Sequence, residues 1–497
     1  MDAAEATQID WFALAPELAV LATALLVLLV ELFLCGQRKR FVNPLAVVGV
    51  LVALGLVVAL AVDGSDRAAF GEMFVADSYA LAFKGLFLSV ALFVLLISYR
   101  YFAEIRTFQG EYYFLILSAF IGMMLMPSAR DFVMLFVALE LVSIPGFIMA
   151  GLRKFDPRSN EGAMKFLIIG ILSASTLLFG LSIVYAFTGT TSLAGTAAAL
   201  TDVTREPLLL VGTLFVLVGF GFKVSAVPFH FWAPDTYEGA PIPVAAFLSV
   251  ASKAAGFAGL LQVSFVAFEP LSHAWAPVVA VIAVLTMTLG NVTALAQRNV
   301  VRLLAYSSVA HAGYMLVPFA LVRPGEAALN SSALSAVLVY LFAYAVMNIG
   351  AFAVVTAVAR RHPGRHLDDY AGLGQRSPGM AGSLTLFLLS LGGTPPLVGF
   401  FAKVAIFAAA VEAGQAGQAG GYVLAVAVVV NTVISVSYYL RVAGRMWMSE
   451  PTDTAPVQPG YALGFAVGGL AVLTVGLGVL APLVTHVADQ AVIAAGG

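Results

Sequence analysis

The chain is a succession of apolar runs separated by short polar turns, and within each run the apolar positions are continuous rather than alternating with period two. A helix needs about 20 apolar residues to cross a hydrocarbon layer roughly 30 Å thick, and windows of about that length pick out such segments. They predict 14 membrane helices, near residues 14–35, 42–62, 78–98, 111–127, 131–151, 161–187, 207–227, 242–268, 275–296, 301–322, 330–359, 380–412, 421–447 and 459–486. Barrel strands would alternate between lipid and lumen, so the continuous runs exclude them. Two runs carry prolines: Pro228 follows the seventh closely, and Pro395-Pro396 interrupt the twelfth. Beside these breaks the chain reads Val-Gly-Phe-Gly-Phe-Lys-Val at 218–224 and Val-Gly-Phe-Phe-Ala-Lys-Val at 398–404. Two interrupted segments in corresponding positions of two halves predict an inverted-repeat transporter architecture with its ion site near the membrane midplane.

Composition supports an all-α polytopic membrane protein: 61% of the 497 residues are hydrophobic and 10% charged, with a mean hydropathy of +0.98. The net charge of -2 and the lack of a dense basic tract argue against a nucleic-acid partner. The single cysteine, Cys35, leaves no internal disulfide and no multi-thiolate metal or iron–sulfur site. It reads as a small apolar residue at a helix end. No Lys or Arg precedes the first run, so the basic start of a signal peptide is missing and that helix is expected to stay as an anchor. Gly219-Phe-Gly221 lacks the third glycine of a dinucleotide fingerprint, and no P-loop occurs, so nucleotide binding is not expected.

The loops test the helix count. If the turn holding Arg38, Lys39 and Arg40 faces the cytoplasm, the alternation of 14 helices puts 16 basic residues on that side and four, Arg67, Arg130, Arg205 and Arg323, on the other. That bias predicts both termini outside. The five remaining basic residues are all lysines inside runs: Lys84, Lys165, Lys223, Lys253 and Lys403. Arginine stays protonated in any protein environment, whereas a desolvated lysine can release its proton. An interior that takes lysine and excludes arginine suits a path for protons.

At a rise of about 1.5 Å per residue, Lys253 and Glu140 lie roughly 14–16 Å into the membrane, near its middle. Glu140 is the only carboxylate inside the fifth run, and Lys223 is its candidate partner. A carboxylate beside the amine favours the charged form, and its withdrawal favours proton release, so the pair would act as a switch. A fixed pair joining two helices is the alternative. Lys253 and Lys403 have apolar sequence neighbours and are expected to carry protons. Lys165 stands four residues beyond Glu161, where a relay, a local pair or a snorkelling chain all fit. Lys84 carries a weaker expectation, and Glu31 is expected to be solvated or paired with Arg38–Arg40. Histidine also titrates in the useful range. His311 lies mid-run among hydroxyl residues and reads as a relay, and His230, just past Pro228, could connect Lys223 with the cytoplasmic mouth. His273, His362, His366 and His486 read as loop or interface residues.

The string Pro-Phe-His-Phe-Trp-Ala-Pro-Asp-Thr-Tyr-Glu-Gly-Ala-Pro at 228–241, followed by Phe-Leu-Ser-Val-Ala-Ser-Lys at 247–253, resembles the antiporter-like membrane subunits of respiratory complex I and of multi-subunit cation/proton antiporters, above all their N type. The resemblance implies a bacterial inner-membrane protein whose helices 4–8 and 9–13 form two inverted repeats, with helices 7 and 12 discontinuous. On this chain that divides into 1–110, 111–270, 271–448 and 449–497. It also implies proton-handling roles for Glu140, Lys223, Lys253 and Lys403, driven by quinone reduction elsewhere in the complex. FMN, iron–sulfur clusters and quinone would then belong to other subunits and none to this chain. Its neighbours would be the M- and K-type subunits and lipid. A cation/proton antiporter subunit is the alternative function, and a scaffold whose buried charges only hold helices together is a second.

Overall fold

A computed structural model describes residues 9–34, 39, 41–105, 109–201, 206–359, 365–451 and 455–491. Cys35, Arg38, Arg40, Arg106, Arg205, Arg360, Arg361 and His362 lie outside the described residues. The chain folds into helices with one small hairpin. The first six long helices are α1 (Ala15–Phe33), α2 (Val42–Asp63), α3 (Ser78–Ile105), α4 (Gln109–Ser128), α5 (Phe132–Ala150) and α6 (Pro157–Thr188). Strands β1 (Arg67–Ala69) and β2 (Phe74–Ala76) pair antiparallel between α2 and α3. Local chemistry sets the helix starts: Asp131 accepts hydrogen bonds from the Val133 and Met134 amides ahead of α5, and Asp156 with Pro157 does the same for α6.

The short α7 (Leu193–Leu200) precedes α8 (Pro207–Lys223) and α9 (Trp232–Gly239). Next come α10 (Ile242–Phe247) and α11 (Lys253–Gln262), joined by a π-helical turn over Leu248–Ser252 and followed by another over Val263–Ala267. Together they make one run, Ile242–Ala267, buried throughout except at the half-buried Val266. Around it lie α12 (Ser272–Ala296), α13 (Val300–Leu316) and α14 (Ala327–Ala359). The remainder is α15 (Leu373–Arg376), α16 (Pro378–Gly392), α17 (Val398–Gln415), α18 (Ala419–Met448), α19 (Tyr461–Val479) and α20 (Ala481–Gln490).

Among the described residues, 13 helices are long and apolar enough to cross a membrane. The difference from the expected 14 lies at the seventh run, 207–227. Its helix stops after 17 residues at Lys223, the chain then runs without regular helix to Phe231, and α9 follows. The expected run 380–412 is likewise two helices, α16 and α17, separated at 393–397. Proline and left-handed backbone account for both interruptions: Ser225 has φ +60° and Gly393 φ +87°.

The centre is set by close helix crossings. A Cβ on Gly290 of α12 would stand 2.6 Å from the Ala310 amide nitrogen, and one on Gly313 of α13 2.4 Å from that of Met287. Small residues allow this approach and hold α13 with its histidine at fixed rotation. Gly313→Leu should therefore destabilise the fold by about 1–3 kcal/mol or more, read as a lower thermal transition of the purified protein.

Candidate functional site

The buried polar groups form a line through the bundle centre, beginning on α5 and α8. Lys223 is 2% exposed and ends α8, where the free carbonyls and the helix dipole favour a cation. Its stem crosses Gly256 of α11, where a Cβ would come within 2.8 Å of Lys223 Cγ. Its ammonium donates to Ser143 Oγ at 2.9 Å, and that hydroxyl donates on to the Leu139 carbonyl at 2.7 Å. Glu140 and Lys223 form no salt bridge, although each feels the other's charge: the carboxylate is half-buried one turn before Ser143 on α5, and the serine hydroxyl takes the amine. Rotation of α5 decides this, which spacing along one strand of sequence does not reveal.

Past Lys223 the opened backbone is satisfied from neighbouring groups, as a break at membrane depth requires. The Val227 amide donates to Thr286 Oγ1 on α12 at 3.0 Å, and Trp232 Nε1 reaches back to the Phe222 carbonyl at 3.2 Å. His230 lies in this break, 5% exposed, with Nδ1 unpartnered among the described residues. Ser225 Oγ is also buried without a partner there.

Lys253 follows the first π turn, a distortion that re-aims side chains and recurs at functional sites. Its ammonium donates to the Ser308 carbonyl at 2.7 Å and to Ser308 Oγ at 2.5 Å on α13. One residue earlier, Ser307 Oγ lies 2.5 Å from Tyr439 Oη. His311 sits between two phenols, with Tyr340 Oη 2.7 Å from Nδ1 and Tyr439 Oη 3.1 Å from Nε2. Asn348 of α14 joins Tyr344 Oη at 3.0 Å to Ser249 Oγ of the π turn at 2.9 Å. Lys403 closes the line. It donates to the Gly392 carbonyl at 3.0 Å and Ser435 Oγ at 3.4 Å, and lies 5.0 Å from the Tyr314 ring centre. Neither Lys253 nor Lys403 has a carboxylate partner among the described residues.

The two similar heptapeptides do not occupy matching positions about the breaks. Lys223 precedes the first break, whereas Lys403 is six residues into the helix after the second. What they share is electrostatic: each ammonium rests at the C-terminal end of the half-helix before its break, Lys223 as its last residue and Lys403 against the Gly392 carbonyl.

Lys165 is elsewhere. It is partly exposed and paired with Glu161 and Asp235, each at 2.6 Å. Asp235 also meets Arg302 at 2.7 Å, and Arg302 meets Glu238 at 2.8 Å. This ionic cluster ties α9 to α6 and α13 at one mouth of the line. Lys165→Met should leave a folded protein with at most a slightly lower thermal transition, and Lys165→Arg should match the parent, because exposed ion pairs contribute little.

Sequence reading missed the hydroxyl and amide members, Ser143, Ser307, Ser308, Asn348, Tyr340 and Tyr439. Their signal was present, since polar side chains mid-span find partners across helices. It also missed Glu17, buried on α1 and 2.8 Å from Lys84. Glu31 pairs with Lys39 at 2.9 Å, within the expected basic run. His273 and His486 are exposed, and no group of three or more metal-ligating side chains occurs among the described residues.

The sequence profile of the family described as NADH:quinone oxidoreductase/Mrp antiporter, TM, matches residues 129–435. The NADH-quinone oxidoreductase subunit N 2 of Streptomyces griseus is 44% identical over 448 residues, covering 87% of this chain and 82% of the relative. This chain belongs to the NADH-quinone oxidoreductase subunit N family. The subunit N of Dehalococcoides mccartyi is 41% identical, covering 93% of this chain and 95% of that one. A chain of respiratory complex I from Thermus thermophilus superposes with a TM-score of 0.78 at 30% identity, covering 95% of this chain and 99% of that one. A chain of the Mrp complex from Dietzia superposes at 0.84 with 21% identity and 97% coverage of both. At that identity the Mrp likeness shows the shared fold alone, and subunit N relatives near 40% identity favour the complex I reading.

Proposed function

We propose that this subunit N conducts protons along the line from Lys223 through Lys253 and His311 to Lys403, as part of NADH-quinone oxidoreductase. The observation that carries the proposal is that Lys253 and Lys403 are buried mid-bundle against hydroxyls and carbonyls. Nothing there fixes a positive charge permanently, and a charge held so deep without a counter-ion is costly. An amine that alternates between ammonium and neutral form fits such a site.

In this reading Glu140 modulates Lys223 through its charge, and His230 passes protons between the mouth and Lys223. Lys165 stands at that mouth, on the cytoplasmic side of a bacterial inner membrane, with both termini outside. Helices 4–8 and 9–13 act as the two inverted halves, the broken seventh run counting as the fourteenth crossing. The chain holds no redox cofactor of its own, and the M- and K-type subunits are its neighbours. The test is NADH-driven acidification in vesicles carrying the complex with Lys253→Met: electron transfer should persist while proton uptake per NADH falls. Undiminished uptake would sink the assignment.

A further inference from the structure

A second feature is a groove whose lining includes none of the residues of the proton line. It is a cavity of about 390 Å³ between α2, α3, α14, α19 and α20, within the roughly 300–1,000 Å³ typical of small-molecule sites. Along α3 it runs from Leu81 to Phe93, with Ser89 the only polar side chain among its lining. Twelve steps of about 1.5 Å make it roughly 18 Å long, close to one leaflet of a hydrocarbon core about 30 Å thick. Gly85 lies on its floor, and a Cβ there would meet nothing within 4 Å. Glycine inside a helix is unfavourable unless space is wanted.

The groove is not apolar along its whole length. Leu81, Ala82 and Val487 also line a second cavity of about 260 Å³, whose other walls combine the apolar Leu60, Ala61 and Ala491 with Gly64, Ser65, Asp66, Ser78 and Gln490. These residues lie where α2 ends and α3 begins, at the level of the membrane interface. Arg67 beside them is engaged by Asp10 at 2.8 Å and Asp63 at 2.9 Å. Asp66 is exposed and is the only ionisable side chain lining the mouth.

We infer that this groove binds one phospholipid with a primary-amine head group, its acyl chain along α3 and its ammonium at Asp66. An apolar trough one leaflet deep fits a single lipid tail, and a mouth lined by one carboxylate and no base selects a cationic amine over an anionic head group. The inference needs only that the chain spans a bilayer, so it stands apart from the proton-path reading.

The test uses the assembled complex in membranes. A phosphatidylethanolamine with a photoactivatable tail should label peptides containing residues 81–93 and 342–349. At Gly85 an added Cβ meets nothing within 4 Å, so Gly85→Phe places its ring in the trough and should abolish that labelling, while Gly85→Ala should not. Asp66→Asn should lower labelling by the ethanolamine probe toward that of a phosphatidylglycerol probe. Retained NADH-quinone activity in each variant shows that the fold is intact. Equal labelling of Gly85→Phe, equal labelling of the native protein by both probes, or a crosslink from a photoreactive residue at position 85 to another subunit would each overturn the inference.

Discussion

Lys223→Met in the assembled complex is expected to reduce protons pumped per NADH by at least about tenfold, a change of roughly 1.4 kcal/mol or more in the conducting step. Methionine fills the space of the lysine stem over Gly256, so assembly should survive, as volume-conserving apolar exchanges usually allow. What disappears is the titratable amine at the end of α8. Lys223→Arg should rescue poorly, because guanidinium keeps its proton in any protein environment. Glu140→Gln should lower pumping less than either: the carboxylate acts on the amine through charge without a salt bridge, and Ser143 keeps its hydrogen bond to it. Full pumping by Lys223→Met would remove that residue from the path, whatever the behaviour of the others.

His311→Gln should leave a folded, assembled complex that oxidises NADH but pumps roughly tenfold to a hundredfold less. The amide can replace the contacts with the phenols of Tyr340 and Tyr439, so few buried hydroxyls lose a partner. An amide cannot take up and release a proton at neutral pH, whereas imidazole can. His311→Leu is the structural contrast. It leaves the buried phenol of Tyr340 short of its partner at about 1–3 kcal/mol, while Tyr439 keeps Ser307, and it should lower thermal stability as well as pumping. Normal pumping by His311→Gln with a destabilised His311→Leu would show a purely architectural histidine.

The two substitutions probe different parts of the line. Lys223 is joined to α5 by a single serine, while His311 bridges α14 and α18 through Tyr340 and Tyr439, 29 and 128 residues away in sequence. Additive losses are expected of independent sites and non-additive ones of a single path. A Lys223→Met/His311→Gln double variant that pumps no worse than the weaker single variant would support one continuous route.

Much of this was legible along the chain. Apolar runs long enough to cross a bilayer mark their own helices, because membrane insertion is paid for locally, residue by residue. A lysine mid-run is conspicuous for the same reason, so Lys223, Lys253 and Lys403 stood out, as did the proline breaks beside two of them. Subunit N membership could be read from the long string after Pro228. None of this needed knowledge of which helices touch.

Everything that depends on helix rotation and crossing waited for the fold. Glu140 and Lys223 were natural partners by charge, yet Ser143 stands where the amine points, because one helical turn separates the two oxygen-bearing side chains on α5. The heptapeptide likeness suggested equivalent lysines, but they fall on opposite sides of their breaks and share only the helix end that holds them. Glu17 passed unnoticed near the start of α1 until α3 brought Lys84 against it. Hydropathy adds up along one helix and so survives in the linear chain, whereas a hydrogen bond between helices depends on two rotations and a crossing distance, which exist only once the bundle is packed.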